Sequence, residues 1–384
     1  MKILAVTHKY PPSIGGMQKQ SYELINGLSR EMVVESLIYS DKYPKLLFFL
    51  SIIPRIIFRF LKDRNISVIH ANDGLMALII SPICFLLPVK MAVTIHGLDV
   101  VFPNYFYQLW VKHILSKYDC IVTVSHETKQ ECVKRGIPED KTVCILNGFD
   151  PIVLKSDSGV ASSKMETEKS NPILLAIGRP IKRKGFSWFA KNVLPYLKHD
   201  AELVIVGPRE KHPKLIRFLD KCLPESLFNQ LCLSIGLSLD EYELDKIINS
   251  NKLKGRIRFL GKLPQDELDA LRQKAAMFVM PNIVVSGDYE GFGLVALEAV
   301  STGLLCLASN ADGIPSAIQD HQNGLMLESG DVNAWINTVN SLLDDPAQRE
   351  NLAKQFQENL QSTSLSWQKM CDQYSHTLQA LIKQ

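Results

Sequence analysis

A chain of 384 residues is longer than one ordinary core requires, and at about 100–200 residues per domain it predicts two. Its composition, 46% hydrophobic and 22% charged with no Gly-, Ser- or Gln-biased stretch, is that of a globular protein and excludes extended disorder. A formal net charge of +3 leaves no nucleic-acid footprint, so the expected partners are a metabolite or a lipid and not a nucleic acid.

The N-terminus MKILAVTHKYPP has too short an apolar run for a signal peptide and reads as a first β-strand. Further short apolar runs follow in chain order: VVESLIY, VIHAN, MAVTIHG, CIVTVS, ILLAIGR, ELVIVGP, IRFLG, MFVMP and LLCLAS. Bounded by turn residues, these predict buried parallel strands. Helical periodicity between them, as at 18–30 and 127–135, gives repeated βαβ units in two blocks. The fold class is α/β, with two Rossmann-like domains expected to face each other across a cleft. Residues 1–160 form the first domain and 171–365 the second, joined through the aperiodic SDSGVASSKMETEKSN, and 366–384 form a closing helix expected to pack toward the first domain. The eight cysteines, Cys84, Cys120, Cys132, Cys144, Cys222, Cys232, Cys306 and Cys371, lack CxxC spacing and read as buried thiols of a reducing cytoplasm.

Ligands of open parallel sheets gather beyond the carboxyl ends of the strands, so the residues after each apolar run are the candidates. After the first strand, PPSIGGMQ offers Gly15 and Gly16, where a backbone can approach a phosphate. No dinucleotide fingerprint and no Walker lysine accompany it. The segment KYPKLLFFLSIIPRIIFRFLKDR mixes apolar residues with Lys42, Lys45, Arg55, Arg59 and Lys62. It fits an interfacial membrane contact and, equally, a buried helix with a basic outer face, but Pro54 and Arg55 interrupt it as a spanning helix. The apolar LMALIISPICFLLPV reads as a core helix and the lead-in to the next strand. His96 and Asp99 of THGLD and Ser125 of TVSHET stand at later strand ends, His8 and His126 ranking below them, and VFPNYFYQLW adds aromatics for a sugar, a lipid or simple packing.

In the second block, GRPIKRKG places Arg179 beyond a strand and Lys184 where a helix begins, two cations suited to a diphosphate; Lys182 and Arg183 read as solvated. The most informative stretch is EGFGLVALE. Glu290 falls in a loop, while Glu298 lies on an apolar helix, where a charge is costly unless it is paired or meets a ligand. The same two residues would also fit a loop glutamate and a solvent-facing helix glutamate.

EGFGLVALEA, with PPSIGGMQ, THGLD, TVSHET, LNGFD and GRPIKRKG in this order over nearly the whole chain, resembles glycosyltransferase family 4, a retaining family of GT-B fold. The resemblance implies a nucleotide sugar as donor substrate and no cofactor, with Glu298 on the ribose hydroxyls and Glu290 on the transferred sugar. Gly291, Phe292, Gly293 and Leu294 would line the donor, Arg179 and Lys184 would hold its diphosphate, and His96 would meet the sugar's primary hydroxyl. Asp99 and Ser125 fall on the acceptor or sugar side. No D-x-D triplet or metal-ligand spacing occurs, so the diphosphate charge falls to Arg179, Lys184 and helix N-termini, without a metal. GGMQ with THGLD leans toward GDP-mannose, with UDP-sugars open, and the acceptor is expected to be a glycan or lipid-linked, at the inner membrane face. A nucleotide-sugar 2-epimerase, a phosphorylase and a non-catalytic sugar-binding protein are the alternatives on this fold.

Overall fold

The computed structural model describes residues 1–152, 171–208, 240–249, 255–363 and 365–383, with a few positions between 219 and 253. Most of the expected connection, residues 153–170, and Cys232 lie outside the described residues. The chain divides into two compact units. Unit 1 comprises Met1–Asp150, Tyr289–Leu294 and Ser364–Gln384, and unit 2 comprises Pro151–Asp288 and Val295–Thr363. A six-residue piece around Glu290 thus counts with the first unit; local sequence pattern cannot reveal such a return of the chain.

Unit 1 alternates β1 (Lys2–Thr7), α1 (Gly16–Leu28), β2 (Val33–Ile38), α2 (Lys45–Lys62), β3 (Ile66–Ala71), α3 (Gly74–Ile80), α4 (Ile83–Leu86), β4 (Lys90–Ile95), α5 (Leu98–Val101), α6 (Tyr105–Ile114), β5 (Cys120–Thr123), α7 (His126–Lys134) and β6 (Thr142–Cys144). The strands form one parallel sheet in the order β2-β1-β3-β4-β5-β6. Successive side chains of a strand point to opposite faces, and the core divides accordingly. Leu4, Val6, Met91, Val93, Ile95 and Ile121 join one apolar cluster, while Ile3, Ala92, Cys120 and Val122 join the other. The second cluster is completed by the C-terminal helix Trp367–Lys383, which contributes Trp367, Met370, Cys371, Tyr374, Leu378 and Leu381 at helical spacing. The Tyr374 hydroxyl, buried there, shares a hydrogen bond of 2.9 Å with Thr94 Oγ1.

Helix α2 has two faces. Phe48, Ile52, Ile56 and Phe60, four residues apart, enter the core, whereas Leu46, Leu47, Leu50, Phe58 and Leu61 are 56–69% exposed. Arg59 does not belong to an open basic face: its guanidinium lies 2.6 Å from Glu35, a carboxylate that also holds Lys2. No helix among the described residues is long and apolar enough to cross a membrane. Two further expectations need correction. Phe85 and Leu86 of α4 are more than half exposed, because that helix is too short to bury every face, and Cys222 is exposed.

Unit 2 repeats the plan with β7 (Ile173–Ile177), α8 (Phe186–Asn192), β8 (Glu202–Val206), β9 (Ile257–Gly261), β10 (Met277–Met280), β11 (Cys306–Asn310) and β12 (Leu325–Glu328). Its parallel order is β12-β11-β10-β7-β8-β9. β7 to β10 are almost wholly apolar inside, and Trp335 is fully buried with its ring edge-on to Phe189 at 5.7 Å. In each sheet the strand order reverses once, between β1 and β3 in unit 1 and between β7 and β10 in unit 2. Such switch points leave a crevice at the strands' carboxyl ends.

Candidate active site

In unit 2, the switch point carries GRPIKRKG on one side and the segment leading to Glu298 on the other. After β7 the chain runs through Gly178 to an exposed Arg179, then makes a short turn over Lys182–Lys184. Gly185 follows at φ 66, and a side chain there would strike the Pro281 carbonyl, so the loop presses directly on the end of β10. This close packing leaves Lys184 only 8% exposed, its stem alongside Gly178. Arg183 is not solvated as its sequence context implies. It forms an ion pair with Asp288 at 2.7 Å, with the two side chains 15% and 5% exposed.

The α8 N-terminus is not an open phosphate seat either. Asp240 accepts the Ser187 amide at 3.1 Å and the Ser187 hydroxyl, occupying the donors expected to face an anion. Burial pushes the Asp240 carboxyl up to about 6.

Glu298 lies on the helix Leu294–Ser301, whose other side chains are mostly apolar and buried. The cost of placing a carboxylate there is offset by Arg272, whose Nη2 is 3.3 Å from Glu298 Oε2. Arg272 comes from the helix Gln265–Lys274, is 1% exposed at its side chain, and also binds Asp269 at 2.8 Å. Glu298 itself is 23% exposed, so its position is fixed while it still meets solvent. Sequence reasoning missed Arg272, Asp288 and Asp240, since their partners Glu298, Arg183 and Ser187 lie 26, 105 and 53 residues away in the chain.

In unit 1, the stretch Tyr289–Leu294 lies against the end of β4. Gly97, at φ 99, has no room for a side chain because the Tyr289 ring covers it, and one on Gly291 would collide with the His96 carbonyl. The two glycines thus bring Glu290, half-buried, and Phe292, buried, next to the THGLD segment. His96 is 9% exposed and its Nε2 donates to the Asn72 carbonyl at 2.9 Å, which leaves Nδ1 as the acceptor nitrogen in the neutral ring. Asp99 accepts the His96 amide at 2.7 Å and so shapes this turn. Burial pushes its carboxyl upward, His96 opposing and nearby Asp73 reinforcing the shift.

Ser125 needs correction as a sugar-side residue. It is fully buried and caps α7, its hydroxyl engaging Thr128, so it presents nothing to a substrate. Gly15 and Gly16 are exposed at the start of α1, and a side chain at Gly16 would meet only Leu294, at an ordinary 3.7 Å. Among the described residues no three His, Cys, Asp or Glu side chains are grouped to hold a metal ion.

Two Rossmann-like units, each a six-stranded parallel sheet whose strand order reverses once, have the architecture of the GT-B class. A family model described as Glycosyl transferases group 1 matches residues 161–359, and one described as Glycosyltransferase Family 4 matches 19–152; the chain belongs to this family and is a glycosyltransferase. An uncharacterized glycosyltransferase of Methanocaldococcus jannaschii is 24% identical over 310 residues, 77% of this chain and 70% of that protein. A D-inositol 3-phosphate glycosyltransferase of Corynebacterium efficiens is 33% identical over 120 residues, 31% of this chain and only 27% of that protein. Among solved structures, Anabaena HepE in complex with UDP and glucose aligns over 99% of this chain and 100% of its own, with 17% identity and a TM-score of 0.72, a likeness of fold.

Proposed function

We propose that the protein is a retaining hexosyltransferase, with mannose favoured, that takes its sugar from a GDP- or UDP-linked donor. Its acceptor is a glycan or a lipid-linked saccharide of surface-polysaccharide or lipopolysaccharide assembly, reached from the cytoplasmic side in peripheral contact with the membrane. The observation that carries the donor reading is Glu298, a carboxylate held by buried Arg272 on an apolar helix yet still 23% exposed. A carboxylate so fixed suits two ribose hydroxyls at once. That the Anabaena structure holds UDP and glucose supports a nucleotide-sugar donor.

Arg179 and Lys184 meet the diphosphate, whose negative charge grows as it leaves. Glu290 holds the sugar's 3- and 4-hydroxyls, and His96 Nδ1 accepts from its primary hydroxyl. The bond from the anomeric carbon to the diphosphate oxygen breaks, and the acceptor oxygen bonds that carbon on the same face. The acceptor's proton passes to the departing phosphate oxygen, so no dedicated base is called for. The exposed leucines and Phe58 of α2, with Lys42, Lys45, Arg55 and Lys62, support the membrane contact.

Turnover of labelled GDP-mannose and UDP-glucose, with and without acceptor extract, tests the reading. Glu290→Ala should retain nucleotide binding and lower transfer by about a hundredfold or more, a loss typical of removing a transition-state contact. Unchanged turnover in both Glu290→Ala and Glu298→Ala would sink it.

A further inference from the structure

The switch point of unit 1, between β1 and β3, carries a cluster that the donor chemistry does not use. His8 follows β1, is 8% exposed, and places Nδ1 3.2 Å from Oδ2 of Asp73, which follows β3. Asp73 is 1% exposed and also takes the Met76 amide at 2.9 Å. Burial alone would raise its carboxyl, but His8 and that amide outweigh burial and hold it below the usual range. The His8 ring stands edge-on to Phe49 at 5.6 Å, and the same Phe49 ring has Lys45 Nζ above it, also at 5.6 Å. Two basic side chains therefore meet at one aromatic ring.

A third, Lys9, is next in the chain, close enough for its charge to add to burial in lowering Lys45. Among the described residues neither Lys9 nor Lys45 has a carboxylate within salt-bridge distance, although Asp73 and Asp41 temper Lys45 from farther off. Lys45 also opens α2, an 18-residue helix with no capping side chain and no acidic residue in its first turn. The positive end of that helix dipole adds to the same corner. Lys9 and Lys45 repel one another, Asp73 and Asp41 offset this only from beyond salt-bridge distance, and an anion seated between the lysines relieves the repulsion. Immediately beyond, Leu46, Leu47 and Leu50 are 65%, 56% and 69% exposed.

We propose that this corner seats a phosphate borne by the acceptor, and that the acceptor is a saccharide linked to its lipid through that phosphate. Lys9, Lys45 and the amino end of α2 hold the phosphate, His8 borders it with a ring oriented by Asp73, and the lipid chain lies along Leu46, Leu47 and Leu50. The proposal rests on the reading above that the acceptor is lipid-linked, and it gives that acceptor a charge, a seat and a direction. An isolated apolar face would attract any bilayer; a cation cluster at the switch point, continuous with that face, selects a single amphipathic anion.

Calorimetric titration of the full chain with dodecyl phosphate, inorganic phosphate and the neutral dodecyl maltoside tests it. Dodecyl phosphate should bind, inorganic phosphate more weakly at the same residues, and the maltoside not measurably. Lys9→Gln with Lys45→Gln should weaken dodecyl phosphate by about tenfold or more, as expected for losing charge-assisted contacts, and leave nucleotide binding intact. Leu47→Ser with Leu50→Ser should weaken dodecyl phosphate and leave inorganic phosphate unchanged. Equal binding of dodecyl phosphate by the lysine variant, or of the maltoside by the wild type, would overturn the proposal. So would inorganic phosphate binding as tightly as its alkyl ester. A wild type that binds dodecyl phosphate in this residue-dependent way but no nucleotide would uphold the phosphate seat and refute the donor reading, so the two fail separately.

Discussion

Arg272 sets its Nη2 3.3 Å from Oε2 of Glu298, and these two charges, 26 residues apart in the chain, account for a carboxylate on an otherwise apolar helix. Removing the arginine leaves Glu298 and Asp269 without their shared cation. We predict that Arg272→Ala destabilises unit 2 by about 2–3 kcal/mol, below the ~3–5 kcal/mol of a fully buried pair because both carboxylates keep some solvent. It should also weaken nucleotide binding, since Glu298 loses its orientation. In urea unfolding, Arg272→Ala with Glu298→Ala should cost less than the sum of the two singles; strict additivity would mean that the pair is not coupled.

Asp240 gives a pH signature. Its carboxyl titrates at about 6 in the folded chain against 3.8 for the ordinary group. A raised value means that the folded state favours the protonated form, so the stabilisation is complete below about pH 4 and is lost as pH rises through 6. Asp240→Asn stays neutral throughout. The stability of wild type relative to this variant should therefore fall between pH 4 and pH 7, by up to about 3 kcal/mol. A difference that does not vary with pH would contradict the burial of this carboxyl.

Gly97→Ala should destabilise unit 1 by about 2 kcal/mol or more, combining a left-handed backbone conformation with a collision against Tyr289. Adding Tyr289→Ala should recover part of that loss by removing the obstructing ring. If the second substitution only deepened the loss, the ring would not be the obstacle.

Ten of the twelve strands among the described residues were legible because an apolar run between turn residues is a local signal. β6 and β12 escaped, being three and four residues long with only partly buried side chains. The positions of Arg179, Lys184, Glu290 and Glu298 were legible from strand ends and glycines, but what surrounds them was not. Arg183 meets Asp288 across 105 residues and Ser187 meets Asp240 across 53, and only the folded sheet brings those partners together. The same holds for α2: its four-residue spacing is visible in sequence, but which stripe of it enters the core depends on the sheet beneath.

The central claim is that Glu298, steadied by Arg272, binds the nucleotide of the donor. Thermal unfolding of wild type and Glu298→Ala in UDP, GDP and ADP tests it most directly, because a ligand that binds only the folded state stabilises it by about 2.7 kcal/mol at a hundred times its Kd. One of the nucleotides should raise the wild-type melting temperature, and the variant should need a much higher concentration for the same rise. No rise with any nucleotide, or an identical response in the variant, would contradict the account.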